Sequence, residues 1–166
     1  IKIWIDRDID RLNTDERGVY LGEFSGGDKL VVVYANGSYQ TTSYDLSTRF
    51  GENILFIEKF NSGRVYSAVF WDAEQSFYYL KRFTLEENMV ARSLIGENDA
   101  SRLALFTDEA HPRLVVRFGG KNLHRAPEEI EVENFIGVKS YKARGKRIST
   151  YEIDSVTWGT PYEVVG

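Results

Sequence analysis

Leu30-Val31-Val32-Val33-Tyr34-Ala35-Asn36-Gly37-Ser38-Tyr39-Gln40-Thr41-Thr42 is the stretch whose reading decides the fold. Two arms rich in β-branched and aromatic residues flank Asn-Gly, a pair that tolerates the positive φ angles of a type I′ turn, so the stretch reads as a β-hairpin. Counting 36 residues on reaches Asp72, between the strand-like runs Val65-Tyr66-Ser67-Ala68-Val69-Phe70-Trp71 and Ser76-Phe77-Tyr78-Tyr79-Leu80. Another 36 reaches Asp108, between Leu103-Ala104-Leu105-Phe106-Thr107 and Arg113-Leu114-Val115-Val116-Arg117-Phe118. A third step of 36 lands on Arg144, with residues 135–141 and 148–153 as its arms. A repeating hairpin cannot bury its face alone and must stack on its neighbours. The spacing therefore predicts an all-β chain of about four blade-like units of roughly four strands, with a period near 36 residues and the four anchors in equivalent hairpin turns. An ordinary β-sandwich with regular spacing is the plainer alternative.

Smaller features fill in the units. Ile54-Leu55-Phe56-Ile57, residues 90–95 and Ile130-Glu131-Val132 read as further strands, and residues 1–21 as outer strands of the first unit. Ser25-Gly26-Gly27-Asp28, Asn61-Ser62-Gly63-Arg64 and Gly96-Glu97-Asn98-Asp99 read as turns. Residues 84–94 are the best helix candidate and a poor one. No linker divides the chain, so residues 1–166 read as one domain. The chain opens without Met on Ile1-Lys2-Ile3-Trp4-Ile5, already strand-like, and so reads as a piece of a longer polypeptide.

Composition agrees with strands. Ten Tyr, ten Phe and three Trp suit pleated surfaces, while Pro occurs only three times. The absence of Cys removes disulfides and thiolate metal sites and suits a reducing compartment. No apolar run approaches the roughly 18 residues of a membrane span, which predicts a soluble protein with no membrane partner.

The net charge of −4 argues against a nucleic-acid partner until its distribution is read. Residues 137–151 hold five cations (Lys139, Lys142, Arg144, Lys146 and Arg147) and no acid, leaving a net of −9 for the rest. Just upstream stand Glu128, Glu129, Glu131 and Glu133. Five cations around one tight turn repel one another, and a charge run is ordinarily a solvated face. On an acidic body, contact with phosphates is the simplest physical use for such a loop. Gly145 would then let the backbone come close to a sugar-phosphate chain.

Other candidates read as structure. His111 and His124 are the only histidines and have no metal-ligand spacing; both suit surface positions, His124 beside Lys121 and Arg125. Asp6, Asp8, Asp10 and Asp15 lack the Gly and terminal Glu of a calcium loop. Trp4, Trp71 and Trp158 suit packing within β-repeats better than sugar stacking. Neither a phosphate loop nor a nucleophile with a paired base is present, so no catalytic or metal-binding residue is expected.

The run Phe135-Ile136-Gly137-Val138-Lys139-Ser140-Tyr141-Lys142-Ala143-Arg144-Gly145-Lys146-Arg147-Ile148-Ser149-Thr150-Tyr151-Glu152-Ile153 resembles the closing segment of bacterial type IIA topoisomerase A subunits. It looks most like the topoisomerase IV or gyrase A subunits of the Bacteroides group. Ile3-Trp4-Ile5-Asp6-Arg7-Asp8 is similar to the entry into their C-terminal domain. The resemblance implies a β-pinwheel that binds and bends double-stranded DNA on a basic rim. It implies Lys139, Lys142, Arg144, Gly145, Lys146 and Arg147 as the contact residues, with Lys81, Arg82, Arg113, Lys121 and Arg125 as secondary ones. It also implies a cytoplasmic, nucleoid-associated parent enzyme. There the rest of the A subunit and the ATPase B subunit would supply catalysis, ATP and Mg2+, leaving no cofactor in this domain. The gyrase box Gln-Arg-Arg-Gly-Gly-Lys-Gly has only a partial counterpart in Lys142-Ala143-Arg144-Gly145-Lys146-Arg147, which points to topoisomerase IV over gyrase. Two other readings compete: a protein-interaction propeller docking an acidic partner, and a carbohydrate-binding β-repeat.

Overall fold

The structure is a computed structural model and describes residues 1–164. Its first strands are β1 (Lys2–Asp6), β2 (Arg11–Asn13), β3 (Val19–Glu23), β4 (Leu30–Tyr34), β5 (Ser38–Thr42) and β6 (Ile54–Lys59). Then come β7 (Tyr66–Asp72), β8 (Phe77–Thr84), β9 (Arg92–Ser93), β10 (Arg102–Thr107), β11 (Arg113–Phe118) and β12 (Glu128–Glu131). A four-residue helix α1 (Val132–Phe135) precedes β13 (Lys139–Ser140), β14 (Lys146–Arg147) and β15 (Ile153–Trp158).

The chain is all-β and forms several discrete sheets, as in a multi-bladed pinwheel-like fold, and one connection rule recurs in each. A first strand lies at the centre, its hairpin partner on one side and a later strand on the other. Thus β1 lies between β2 and β3, β4 between β5 and β6, β7 between β8 and β10, and β11 between β12 and β15. Every pairing of a central strand with its later partner carries a register shift, at Ile3/Trp4, Val33/Tyr34, Leu103/Leu105 and Arg117/Phe118. Such bulges bend the strand and increase its twist. Two of the sheets accept an extra strand from chain further on: β9 pairs with β5, while β13 and β14 both pair with β8.

The chain divides into two compact units. One comprises Ile1–Ser62 with Glu86–Leu94; the other comprises Gly63–Leu85 and the residues from Ile95 onward. In the first unit, Leu30, Val32 and Tyr34 from β4 pack with Ile3, Ile5, Leu12, Phe24 and Ile54. Val31 and Val33 alternate with them along the strand and are equally at 0% exposure, so β4 is covered on both faces. Burying each such side chain contributes about 1.5–3 kcal/mol. This is why the most apolar run of the sequence sits mid-sheet. In the second unit Val69 and Leu80 pack with Leu114, Val116, Phe118, Ile130, Val132 and Ile148.

Among the described residues four sheets are present, but the constant spacing is not. Their central strands begin at residues 2, 30, 66 and 113, steps of 28, 36 and 47. Only Asn36 and Asp72 are equivalent, each closing the hairpin of a central strand. Asp108 lies in the connection from β10 to β11, which belong to different sheets. Arg144 lies between β13 and β14, which pair with β8 and not with each other. Residues 2–23 build a sheet of their own instead of edging the next one. Alternating apolar residues mark where strands run, but not which strands pair. Residues 84–94 are not helical; after β8 they run without regular structure to β9, and just beyond it Leu94 N–H donates to the Gly37 carbonyl (2.8 Å).

Candidate nucleic-acid interface

The platform of the site is β8. One edge pairs with β7 from Tyr66–Phe83 through Asp72–Phe77, and the other takes β14 at Tyr79 and Leu80 and β13 at Phe83 and Thr84. The loop joining β13 to β14 is thereby tied to β8 at both ends. Strand alternation puts Phe77, Tyr79, Lys81 and Phe83 on one face of β8. Cations lie along these rings: Arg147 Cζ 4.0 Å from the Phe77 centroid, Arg144 Cζ 5.7 Å from Tyr79, and Lys81 Nζ 4.9 Å from Phe83. Lys146 Nζ stands 4.3 Å from the Phe135 centroid, and Lys142 Nζ 5.8 Å from Tyr141. A cation over an aromatic face gains about 0.5–1 kcal/mol at exposed sites. Five like charges therefore gather around one loop because most rest on rings.

Lys139, Lys142, Arg144, Lys146 and Arg147 are all exposed. Their surroundings correct the expectation that no acid stands nearby. Arg144 Nε is 3.5 Å from Asp72 Oδ2, with the Asp72 side chain 6% exposed and the Arg144 side chain 53% exposed. The other Asp72 oxygen accepts the Glu74 N–H (3.0 Å), so one carboxylate caps the β7–β8 turn and steadies Arg144. Lys146 Nζ donates to the Phe135 carbonyl (3.3 Å). Neither the rings nor this acid is visible as a partner in the local sequence; the even spacing of Phe77, Tyr79 and Phe83, two and then four residues apart, is the available signal.

Gly145 has a part in holding the loop on its platform. Its φ is +93°, and a Cβ there would lie 2.4 Å from the Leu80 carbonyl oxygen and 2.8 Å from Lys81 Cβ. Its bare face is turned onto β8, so glycine is required for docking the loop on its platform.

The secondary residues separate into three kinds. Lys81 is 2% exposed, and its Nζ donates to the Tyr141 carbonyl at 2.6 Å. Burial lowers its pKa to about 8. An ammonium so placed cannot reach a phosphate, which removes Lys81 from the contact set and makes it an anchor of the cationic loop. Arg82 and Arg113 are half-buried, and Arg113 Nη1 donates to Glu129 Oε2 (3.1 Å), drawing its charge into the acidic strand β12. Lys121 and Arg125 are exposed, and Arg125 Cζ lies 3.7 Å over the Tyr151 ring.

The remaining sequence candidates become structural. His111 is half-buried beside Glu133 with Tyr162 against its ring (5.6 Å), not an exposed turn residue; His124 is exposed. Asp10 pairs with Arg7 (2.9 Å) and Asp15 with Arg17 (3.3 Å). Trp4 packs on Tyr20 and Trp71 on Tyr78, with centroids 5.0 and 5.2 Å apart. Among the described residues, no three His, Asp or Glu side chains group as metal ligands, and no helix is long and apolar enough to cross a membrane.

Sheets built on one connection rule, one of them carrying a ring-supported cationic loop, define a pinwheel-like domain. The chain belongs to the bacterial family described as topoisomerase C-terminal domain, Bacteroidota, whose pattern it matches over residues 11–160. Among solved structures, the crystal structure of the C-terminal domain of DNA topoisomerase IV superposes with a TM-score of 0.50 at 10% identity. The superposition covers 88% of this chain and 52% of that one, so this chain spans about half the length of the solved domain. At that identity the likeness is one of fold alone. No curated protein is significantly similar in sequence to this chain.

Proposed function

We propose that this domain binds duplex DNA through Lys139, Lys142, Arg144, Lys146 and Arg147 and steers the strand-passage reaction of a type IIA topoisomerase. The observation that carries this reading is the set of five exposed cations, most of them resting on aromatic rings. Pre-positioned cations lose little side-chain freedom on meeting a phosphate backbone, and phosphate contacts fix orientation without reading sequence. Lys121 and Arg125 extend the surface; Arg82 and Arg113 contribute less because they are half-buried. The parent would be a topoisomerase IV-like A subunit acting with an ATPase B subunit in the cytoplasm, its ATP and Mg2+ held outside this domain. On an acidic chain, intrinsic affinity is weak, and tethering to the enzyme supplies the effective concentration.

The test replaces Lys142, Arg144, Lys146 and Arg147 together by Ala and measures duplex binding and thermal unfolding. Folding should persist, since exposed charges stabilise little, while most duplex binding is lost. A folded quadruple variant with unchanged DNA affinity would overturn the reading in favour of an acidic protein partner.

A further inference from the structure

Close to the cationic loop, within the second unit, lies an open cleft of about 350 Å³. One wall comes from the β7–β8 turn region (Trp71, Ser76, Phe77 and Tyr78), the other from the segment leading into β15 (Ser149, Thr150, Tyr151, Glu152 and Ile153). Trp71 and Tyr78 meet edge to face at 66°. Each wall also contributes a ring that carries a guanidinium: Phe77 under Arg147 at 4.0 Å and Tyr151 under Arg125 at 3.7 Å. Ser76, Ser149 and Thr150 add hydroxyls. The cleft is therefore rich in aromatic side chains, polar at a few points, and flanked by exposed cations that rest on rings.

We propose that this cleft holds one unstacked DNA base, so that the domain prefers duplex carrying an unpaired or flipped-out nucleotide. The inference rests on the DNA-binding reading above and deepens it. Three features of the ligand meet three features of the cleft. A base has π-faces for the rings, and stacking on aromatic side chains is independent of sequence. Its edge carries donors and acceptors for the hydroxyls. The backbone entering and leaving the cleft carries phosphates for Arg125 and Arg147. A sugar ring would use the aromatic walls but leave both guanidiniums without an anion.

The experiment compares two duplexes of the same sequence, one fully paired and one with a single bulged 2-aminopurine, by fluorescence and anisotropy. The bulged duplex is expected to bind about tenfold tighter, with its fluorescence quenched on binding. Ser149→Trp, which fills the cleft, and Trp71→Leu, which thins its wall, should each abolish the preference and leave fully paired binding unchanged. Equal affinity for both duplexes, with the bulge fluorescence unchanged, would overturn the cleft while leaving duplex binding intact. Binding of neither duplex would remove the DNA reading and the cleft with it. Equally tight binding of free 2-aminopurine nucleotide would make this a free-nucleotide site and overturn a role on DNA.

Discussion

The Arg144 guanidinium reaches back to the Asp72 carboxylate, with Nε 3.5 Å from Oδ2, so the cationic loop and the β7–β8 turn share one charge pair. A largely buried acid thus sits beneath an exposed base. The arrangement lowers the repulsion among the loop's cations, and it also withholds part of Arg144's charge from any anion.

Replacing Asp72 by Asn keeps a side-chain oxygen for the Glu74 N–H while removing the negative charge. Duplex affinity should then rise by up to about fivefold at low salt, the range of a partly exposed ion pair, and the gain should fade as salt screens it. Anisotropy titrations at two ionic strengths check this. Weaker binding by a normally folded Asp72→Asn would show that the pair orients Arg144 and does not compete for it.

Salt dependence counts the contacts. If all five exposed cations each neutralise one phosphate, log K against log salt should slope by about −4.5, and each Ala substitution should flatten it by about 0.9. A slope that stays the same after Lys146→Ala would remove that residue from the interface.

Lys81 gives the domain a pH signature. Its folded pKa of about 8 lies below the ordinary 10.5, so between these values the unfolded chain binds more protons than the folded one. Stability contributed by this group therefore rises as pH increases from about 8 towards 10.5. Urea unfolding at pH 8 and pH 10 should show wild type gaining against Lys81→Met. Parallel pH profiles for the two proteins would mean that the ammonium is not strained by burial.

Gly145→Ala should destabilise the second unit by more than about 1 kcal/mol, because a side chain at positive φ is strained and its Cβ would meet the Leu80 carbonyl. Hydrogen exchange should speed up at Lys146 and Arg147 more than at β7. Unaltered exchange there would place the docking energy elsewhere.

Strands and turns were legible because they are written locally. The Asn36-Gly37 hairpin, the buried valine run of β4 and the cationic loop all stand where residue chemistry puts them. Pairing was not legible, because it depends on contacts far apart in sequence. Nothing near Lys139 says that it will lie beside Phe83, and nothing near Lys81 says that the Tyr141 carbonyl will cover it. The Asp72 and Arg144 pair shows this most directly: equal spacing made them counterparts in a repeat, whereas the fold makes them partners. Lys81 was misplaced for a related reason, since a lysine in a strand ordinarily faces water.

The discontinuous route of the chain governs where it can be cut. Residues 86–94 belong with the first 62, yet the β7–β8 hairpin of the other unit is synthesised between them. A fragment ending at Ser62 would lack β9 and leave the free side of β5 as a bare edge, a template for joining another copy. A fragment ending before Lys139 would strip β8 in the same way. Neither piece should behave as a well-defined monomer, and dissection of the domain into halves should yield association in place of folding.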